Sequence, residues 1–136
     1  MDKTIVLGIK ILSPVVCVND ENVKTLNVID TIYTRFQSEQ NTNHHGYAQE
    51  KLQNFRYIKE SYVIPNGSYI RMIDMRNPLD AKLYSGGFVT DDNGYKTTVR
   101  SCRGDGVITF NRKKYVFFLQ MTMDDVLREQ IQKMDP

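Results

Sequence analysis

Near Ser68 the hydrophobic period changes from that of helices to that of strands, and that change constrains the fold more than any other feature. Before it, apolar residues recur at steps of three and four, as Val23, Leu26, Ile29, Tyr33 and Phe36, and again through Ala48, Leu52, Phe55, Ile58 and Tyr62. After it they fall in short runs separated by regular turn signals. The first pattern is that of amphipathic helices and the second that of short strands. Helices and strands in separate blocks point to the α+β class. The 136 residues suffice for one domain with a core of its own, in three parts: 1–66, 67–121 and 122–134.

In the first part, Ile5 to Leu12 is rich in β-branched residues and reads as an N-terminal strand, bent at Pro14 and resumed over Val15 to Val18. Lys10 and Pro14 interrupt the run, which is too short to cross a bilayer. Asn19-Asp20-Glu21-Asn22 supplies cap-type side chains for a first helix ending near Gln37 to Gln40. Asn41-Thr42-Asn43-His44-His45-Gly46 reads as a polar loop, and a second helix then runs to Tyr62, stopped by Pro65-Asn66-Gly67. The two helices are expected to form a hairpin.

Five strands follow in the reading: Ser68–Asp74, Gly86–Thr90, Tyr95–Cys102, Gly106–Phe110 and Tyr115–Met121. Asp91-Asp92-Asn93-Gly94 marks a tight hairpin, because Asn-Gly tolerates the positive φ such turns need. Arg103-Gly104-Asp105-Gly106 and Asn111-Arg112-Lys113-Lys114 make two more turns, so the last four strands read as a continuous antiparallel meander. Gly86-Gly87 lets the sheet coil where side chains would obstruct it. Tyr115-Val116-Phe117-Phe118-Leu119 is apolar on both sides, so this strand needs cover on both faces, from a sheet core and from a helix. Thr122-Met123-Asp124-Asp125 has the order of a capping box, and Val126, Leu127 and Ile131 continue it as a short C-terminal helix.

Five short strands, a long first loop from Met75 to Ser85 and successive tight turns resemble the SH3-like barrel plan over residues 68–121. No Trp is present, nor an Ala-Leu-Tyr signature, so the resemblance does not imply proline-peptide binding. Gly67-Ser68-Tyr69-Ile70-Arg71 followed by Leu83-Tyr84-Ser85-Gly86-Gly87-Phe88 is similar to sheet segments of small proteins of large DNA viruses. Ten Asn and eleven Ile suit an AT-rich genome of that kind. That second resemblance implies a minor structural protein, associated with a capsid or virion and located in the cytoplasm, a virus factory or the particle.

Charge is uneven although the formal net is only +2. Residues 71–114 carry nine Lys/Arg against five Asp/Glu, and their cations fall on strands or turns. Arg71, Arg76, Lys82, Lys96, Arg100, Arg103, Arg112, Lys113 and Lys114 form the candidate track for a phosphate backbone, with Tyr69, Tyr84 and Tyr95 placed between them to stack on bases. The same alternation is that of any half-buried strand, and Arg112-Lys113-Lys114 that of a solvated turn.

Other motifs read as structural. His44-His45 lacks further ligands at metal spacing, and Cys17 and Cys102 belong to no Cys-x-x-Cys pair, so neither metal nor cofactor is expected. The cysteines read as reduced thiols of an intracellular, non-secreted protein. Arg103-Gly104-Asp105 reads as turn chemistry, Asp91-Asp92 as a hairpin start and Asp124-Asp125 as a cap. No nucleophile elbow or phosphate-cradling loop is present. The expected function is therefore a non-catalytic interaction or assembly protein that binds other protein chains, its own or another. The alternatives are a small nucleic-acid-binding protein using the basic sheet face, and an accessory subunit of a larger enzyme complex. Neither a membrane nor a small-molecule substrate is expected as a partner.

Overall fold

The structure, a computed structural model, describes residues 20–101, 106–122 and 127. The expected N-terminal strand, both cysteines, the Arg103-Gly104-Asp105 turn and the expected C-terminal helix, apart from Thr122 and the helical Leu127, lie outside the described residues. The chain is α+β. Helices α1 (Asp20–Arg35) and α2 (Glu39–Lys51) precede β1 (Phe55–Ile58), β2 (Tyr69–Asp74), β3 (Leu83–Asp92), β4 (Lys96–Ser101), β5 (Val107–Asn111) and β6 (Tyr115–Gln120), and Pro78–Asp80 forms a 3-10 turn.

The strands build one antiparallel sheet in the order β1-β6-β2-β3-β4-β5. This corrects the expected five-stranded barrel or meander in two respects. A sixth strand, Phe55–Ile58, replaces the second half of the expected second helix, and the sheet stays open instead of closing as a barrel. The expected continuous meander also breaks after β5, because β6 inserts between β1 and β2. Only three residues link β5 to β6. A link that short between strands that are not neighbours requires the sheet to coil until their ends meet. The coil is made at two bulges of β3, one at Ser85-Gly86 opposite Arg71 of β2 and one between Val89 and Asp91. Gly86 takes φ +60 within the first bulge, where a Cβ would lie 2.0 Å from the Ile70 carbonyl oxygen, so no side chain fits there.

The strand at Phe55–Ile58 misleads a sequence reader because three-residue spacing suits a helix equally well. Asn54 takes φ 63 and ends the helical path after Leu52. Phe55 and Ile58 then face opposite sides of the sheet and fill separate cores, which two residues on one helical stripe could not do. The first core holds Ile29, Ile32, Tyr33, Ala48, Leu52 and Phe118 beneath the helices. The second, on the inside of the coil, holds Ile64, Ile70, Met72, Val89, Val99 and Phe117. Adjacent Phe117 and Phe118 are thus both at most 1% exposed, one in each core, as the two-sided apolar run of β6 requires.

Two further expectations are corrected. Residues 41–46 are helical, not a loop, although their composition offers no apolar stripe. Tertiary polar contacts replace it: Ser38 caps α2 by accepting from the Asn41 N–H at 3.1 Å. The buried Asn41 side chain donates to the carbonyls of Phe36 and Pro78 and accepts from Ala81 N–H at 2.9 Å. In α1 the buried stripe is rotated, so Asn22, Thr25, Ile29, Ile32 and Tyr33 face inward while Val23 and Leu26 are exposed. Polar Asn22 and Thr25 occupy the inner face because they bond backbone groups of Asn54, Phe55 and Tyr57, Asn22 also donating to the Asn54 side chain.

Candidate functional site

The cations singled out in the sequence do not gather into one track. Arg71 lies under the end of α2, donating to the Lys51 carbonyl with its guanidinium over Phe55 and Tyr69. Arg76 forms a two-pronged pair with Asp74, 2.7 Å at its closest, and Lys82 lies 3.8 Å from Asp80. Arg103 lies outside the described residues. Lys96, Arg100, Lys113 and Lys114 are exposed and form no ion pair among the described residues. Of the three tyrosines, Tyr69 is half-buried and donates to the Ser85 carbonyl, whereas Tyr84 and Tyr95 are exposed.

Arg112 holds the fold together from within. Its side chain is 1% exposed and that of Asp92 is 0% exposed, with Nη1 at 3.2 Å from both carboxylate oxygens. The remaining Asp92 contacts come from Thr97 Oγ1 at 2.6 Å and Ile64 N–H at 2.6 Å. Arg112 also donates to the carbonyls of Tyr62 and Lys59 and stacks over Phe117. This network pins the segment 59–64 under the β3–β4 hairpin, where it plugs the open side of the coil. A buried ion pair holds only when hydrogen bonds satisfy both partners, as they do here.

Where β3 and β6 begin, Asp74, Arg76, Tyr84 and Tyr115 lie together, with Arg76 over the Tyr115 ring at 5.3 Å. The hydrogen bond from Arg76 holds the Asp74 carboxyl below the usual carboxylate range, and burial pushes the Tyr115 hydroxyl up. Beneath the helices, burial also pushes Tyr33 up to about 12, and its hydroxyl donates to the Ala81 carbonyl at 2.5 Å.

The two histidines sit on α2 and tie elements together: His44 is 2.8 Å from Asp80 and His45 is 2.8 Å from Asp30. Among the described residues, no three His, Cys, Asp or Glu side chains gather as a metal site needs. An open cleft of about 690 Å³ lies between the start of α1 and the sheet, where Asp20 and Glu21 face Arg56 and Lys24 beside Tyr69 and Phe88. Its mixed charge selects no one ligand chemistry.

The most distinctive surface is the far edge of the sheet. The helices cover β1, β6, β2 and the beginning of β3, leaving the outer face of β3, β4 and β5 bare. Phe88, Arg100 and Val107 form a cross-strand row there, and Thr98 and Thr109 are joined through their hydroxyls at 2.9 Å. Arg112 N–H donates to the Tyr95 carbonyl at 2.8 Å, and antiparallel ladders alternate. Phe110 and Ile108 therefore bond inward to β4, while the backbone groups of Val107, Thr109 and Asn111 point outward. Among the described residues no strand pairs with that side of β5. Val107 and Ile108 are each more than half exposed.

At the opposite edge, α1 takes outward backbone groups of β1 and of the residue before it. Thr25 Oγ1 donates to the Phe55 carbonyl at 2.7 Å and accepts from Tyr57 N–H at 3.1 Å. Asn22 accepts from Asn54 N–H at 3.1 Å. From sequence a partner is expected at exposed strand edges and on the apolar side of the helical hairpin, but these two edges are not told apart. The legible signal was Val107-Ile108-Thr109-Phe110-Asn111 itself, five residues without charge or proline.

These features define an α+β protein with an open, coiled antiparallel sheet, one edge sealed by helix side chains and the other bare among the described residues. Comparison with family models, curated proteins and solved structures finds no match. No helix among the described residues is long and apolar enough to cross a membrane.

Proposed function

We propose that this chain is a non-catalytic interaction and assembly protein whose binding element is the bare edge of β5 with the adjoining outer face. The observation that carries the reading is the outward backbone of Val107, Thr109 and Asn111, flanked by exposed Val107 and Ile108. An unpaired edge is a template for a strand of another chain, and single-chain sheets blunt such edges with Lys, Pro or bulges. β5 has none of these. Within this class, a minor virion-associated component is the role that the resemblance to proteins of large DNA viruses implies.

Cross-linking through lysine in the native setting tests the reading. Lys96, Lys113 and Lys114 border the edge, so their links to a neighbouring polypeptide are expected to dominate and to disappear in Thr109→Pro, which removes one outward N–H. Links concentrated on Lys24 and Lys51, or unchanged by Thr109→Pro, contradict it. The identity of the linked chain also separates an assembly component from an accessory subunit of an enzyme.

A second reading, binding of nucleic acid, draws on Lys96, Arg100, Lys113 and Lys114, exposed and without an ion pair among the described residues, with exposed Tyr95 nearby. It requires a mobility shift at low salt that weakens steeply as salt rises and is lost in Arg100→Glu with Lys113→Glu. No shift at low salt removes it.

A further inference from the structure

Resting on the reading of β5 as the binding edge, we infer that its occupant is a second copy of this chain, paired antiparallel about a two-fold axis through Thr109. Three observations support that choice over a different protein. First, the outward set is self-complementary. In that register Thr109 exchanges both its backbone bonds with its counterpart, and Val107 pairs with Asn111 of the copy at each end, giving about six backbone hydrogen bonds from one five-residue strand. Asn111 still accepts its turn bond from Lys114 N–H, since a carbonyl has two lone pairs.

Second, the side chains match across the axis. Ile108, 55% exposed in the single chain, faces Phe110 of the copy on the inner side, and the contact occurs twice by symmetry. On the outer side Val107 faces Asn111 and Thr109 faces Thr109, so no two like charges are opposed. Of the strand cations on the outer face, Lys96 of one chain and Arg100 of the copy share the rows Lys96–Asn111 and Val107–Arg100, which set them three strand spacings apart, about 14 Å, beyond the screening length of physiological salt.

Third, among the described residues one edge is sealed and the other is not. Thr25 takes the Phe55 carbonyl and the Tyr57 N–H of β1, and Asn22 takes the Asn54 N–H just before it, which disfavours addition of a copy there and limits growth to two chains rather than a fibre. The result is one continuous sheet across a symmetric dimer. A five-residue strand pair buries less than a standard interface, so association is expected to be weak and concentration-dependent.

Sedimentation velocity of the full chain over a concentration series reads this directly. The expected result is a reversible monomer–dimer exchange, weakened at least about tenfold in Thr109→Pro and in Ile108→Lys, the latter leaving every backbone group in place. Cysteine cross-linking fixes the register. With Cys17 and Cys102 changed to Ser, Thr109→Cys is expected to form a disulfide-linked dimer under mild oxidation, because Cα atoms about 5.5 Å apart suit that bond. Thr98→Cys, one strand further in, is expected to form none. A monomer at all concentrations, a dimer that Thr109→Cys does not link, or protection of the Thr109 amide from exchange in a dilute monomer each overturns the inference. If Thr109→Pro still removes the native cross-links while the purified chain stays monomeric, the occupant is a different protein and the reading of β5 as a binding edge stands.

Discussion

The two edges of this sheet carry the same kind of unpaired backbone and are handled in opposite ways. At β1 the helix α1 turns Thr25 and Asn22 inward, so two side chains serve where another strand would. At β5 the outward groups of Val107, Thr109 and Asn111 have no such cover among the described residues, and the strand carries no residue that repels another chain. A helix with polar residues on its buried face has been fitted to backbone, and a strand without charge at an edge has been left open to it. On the proposed reading, this difference is what singles out β5 as the binding element.

The most damaging way to break this comparison is to loosen the end of β5. Asp92→Ala leaves Arg112 buried without its counter-ion, and a loss of about 3–5 kcal/mol is expected in urea unfolding. Amide protection in β5 and in residues 59–64 should fall with it. Next in size is Thr25→Val, which keeps the shape but strands Phe55 C=O and Tyr57 N–H. A cost of about 1–3 kcal/mol is expected, together with faster exchange of the Tyr57 amide. That variant gives the protein two open edges, and light scattering should show larger, less defined assemblies.

Ile108→Lys sharpens the comparison from the other side. The residue is exposed, so unfolding should move by no more than about 0.5 kcal/mol while association is lost. The smallest effect concerns Asp74. Arg76 holds its carboxyl low, so the stability this group contributes is present above the unfolded carboxylate value of about 3.9 and is lost as pH falls through its lower folded value. In Arg76→Gln acid unfolding should begin at a higher pH, with β5 and its edge unaffected.

Much of the sheet was legible from local chemistry. Asn93-Gly94 marks its hairpin because Gly94 takes φ +87 and the Asn93 side chain accepts from the Tyr95 and Lys96 N–H groups. The two-sided run of β6 foretold its burial between two cores for the same reason. What local chemistry could not carry was long-range partnership. Helix α2 depends on Asn41 reaching Phe36, Pro78 and Ala81, contacts that composition does not reveal. Phe55 to Ile58 become a strand because β6 lies beside them, and β6 is placed there by coiling at Gly86. Among the candidate residues, periodicity put Arg112 on a turn but could not show Asp92 beneath it.

Hydrogen exchange of single amides in the dilute full chain tests most directly whether one edge is sealed and the other open. Tyr57 N–H is expected to exchange slowly at every concentration. Val107 and Thr109 N–H are expected to exchange rapidly when dilute and to become protected as concentration rises. Rapid exchange at Tyr57, or slow exchange at Thr109 in the dilute monomer, contradicts the assignment of the edges.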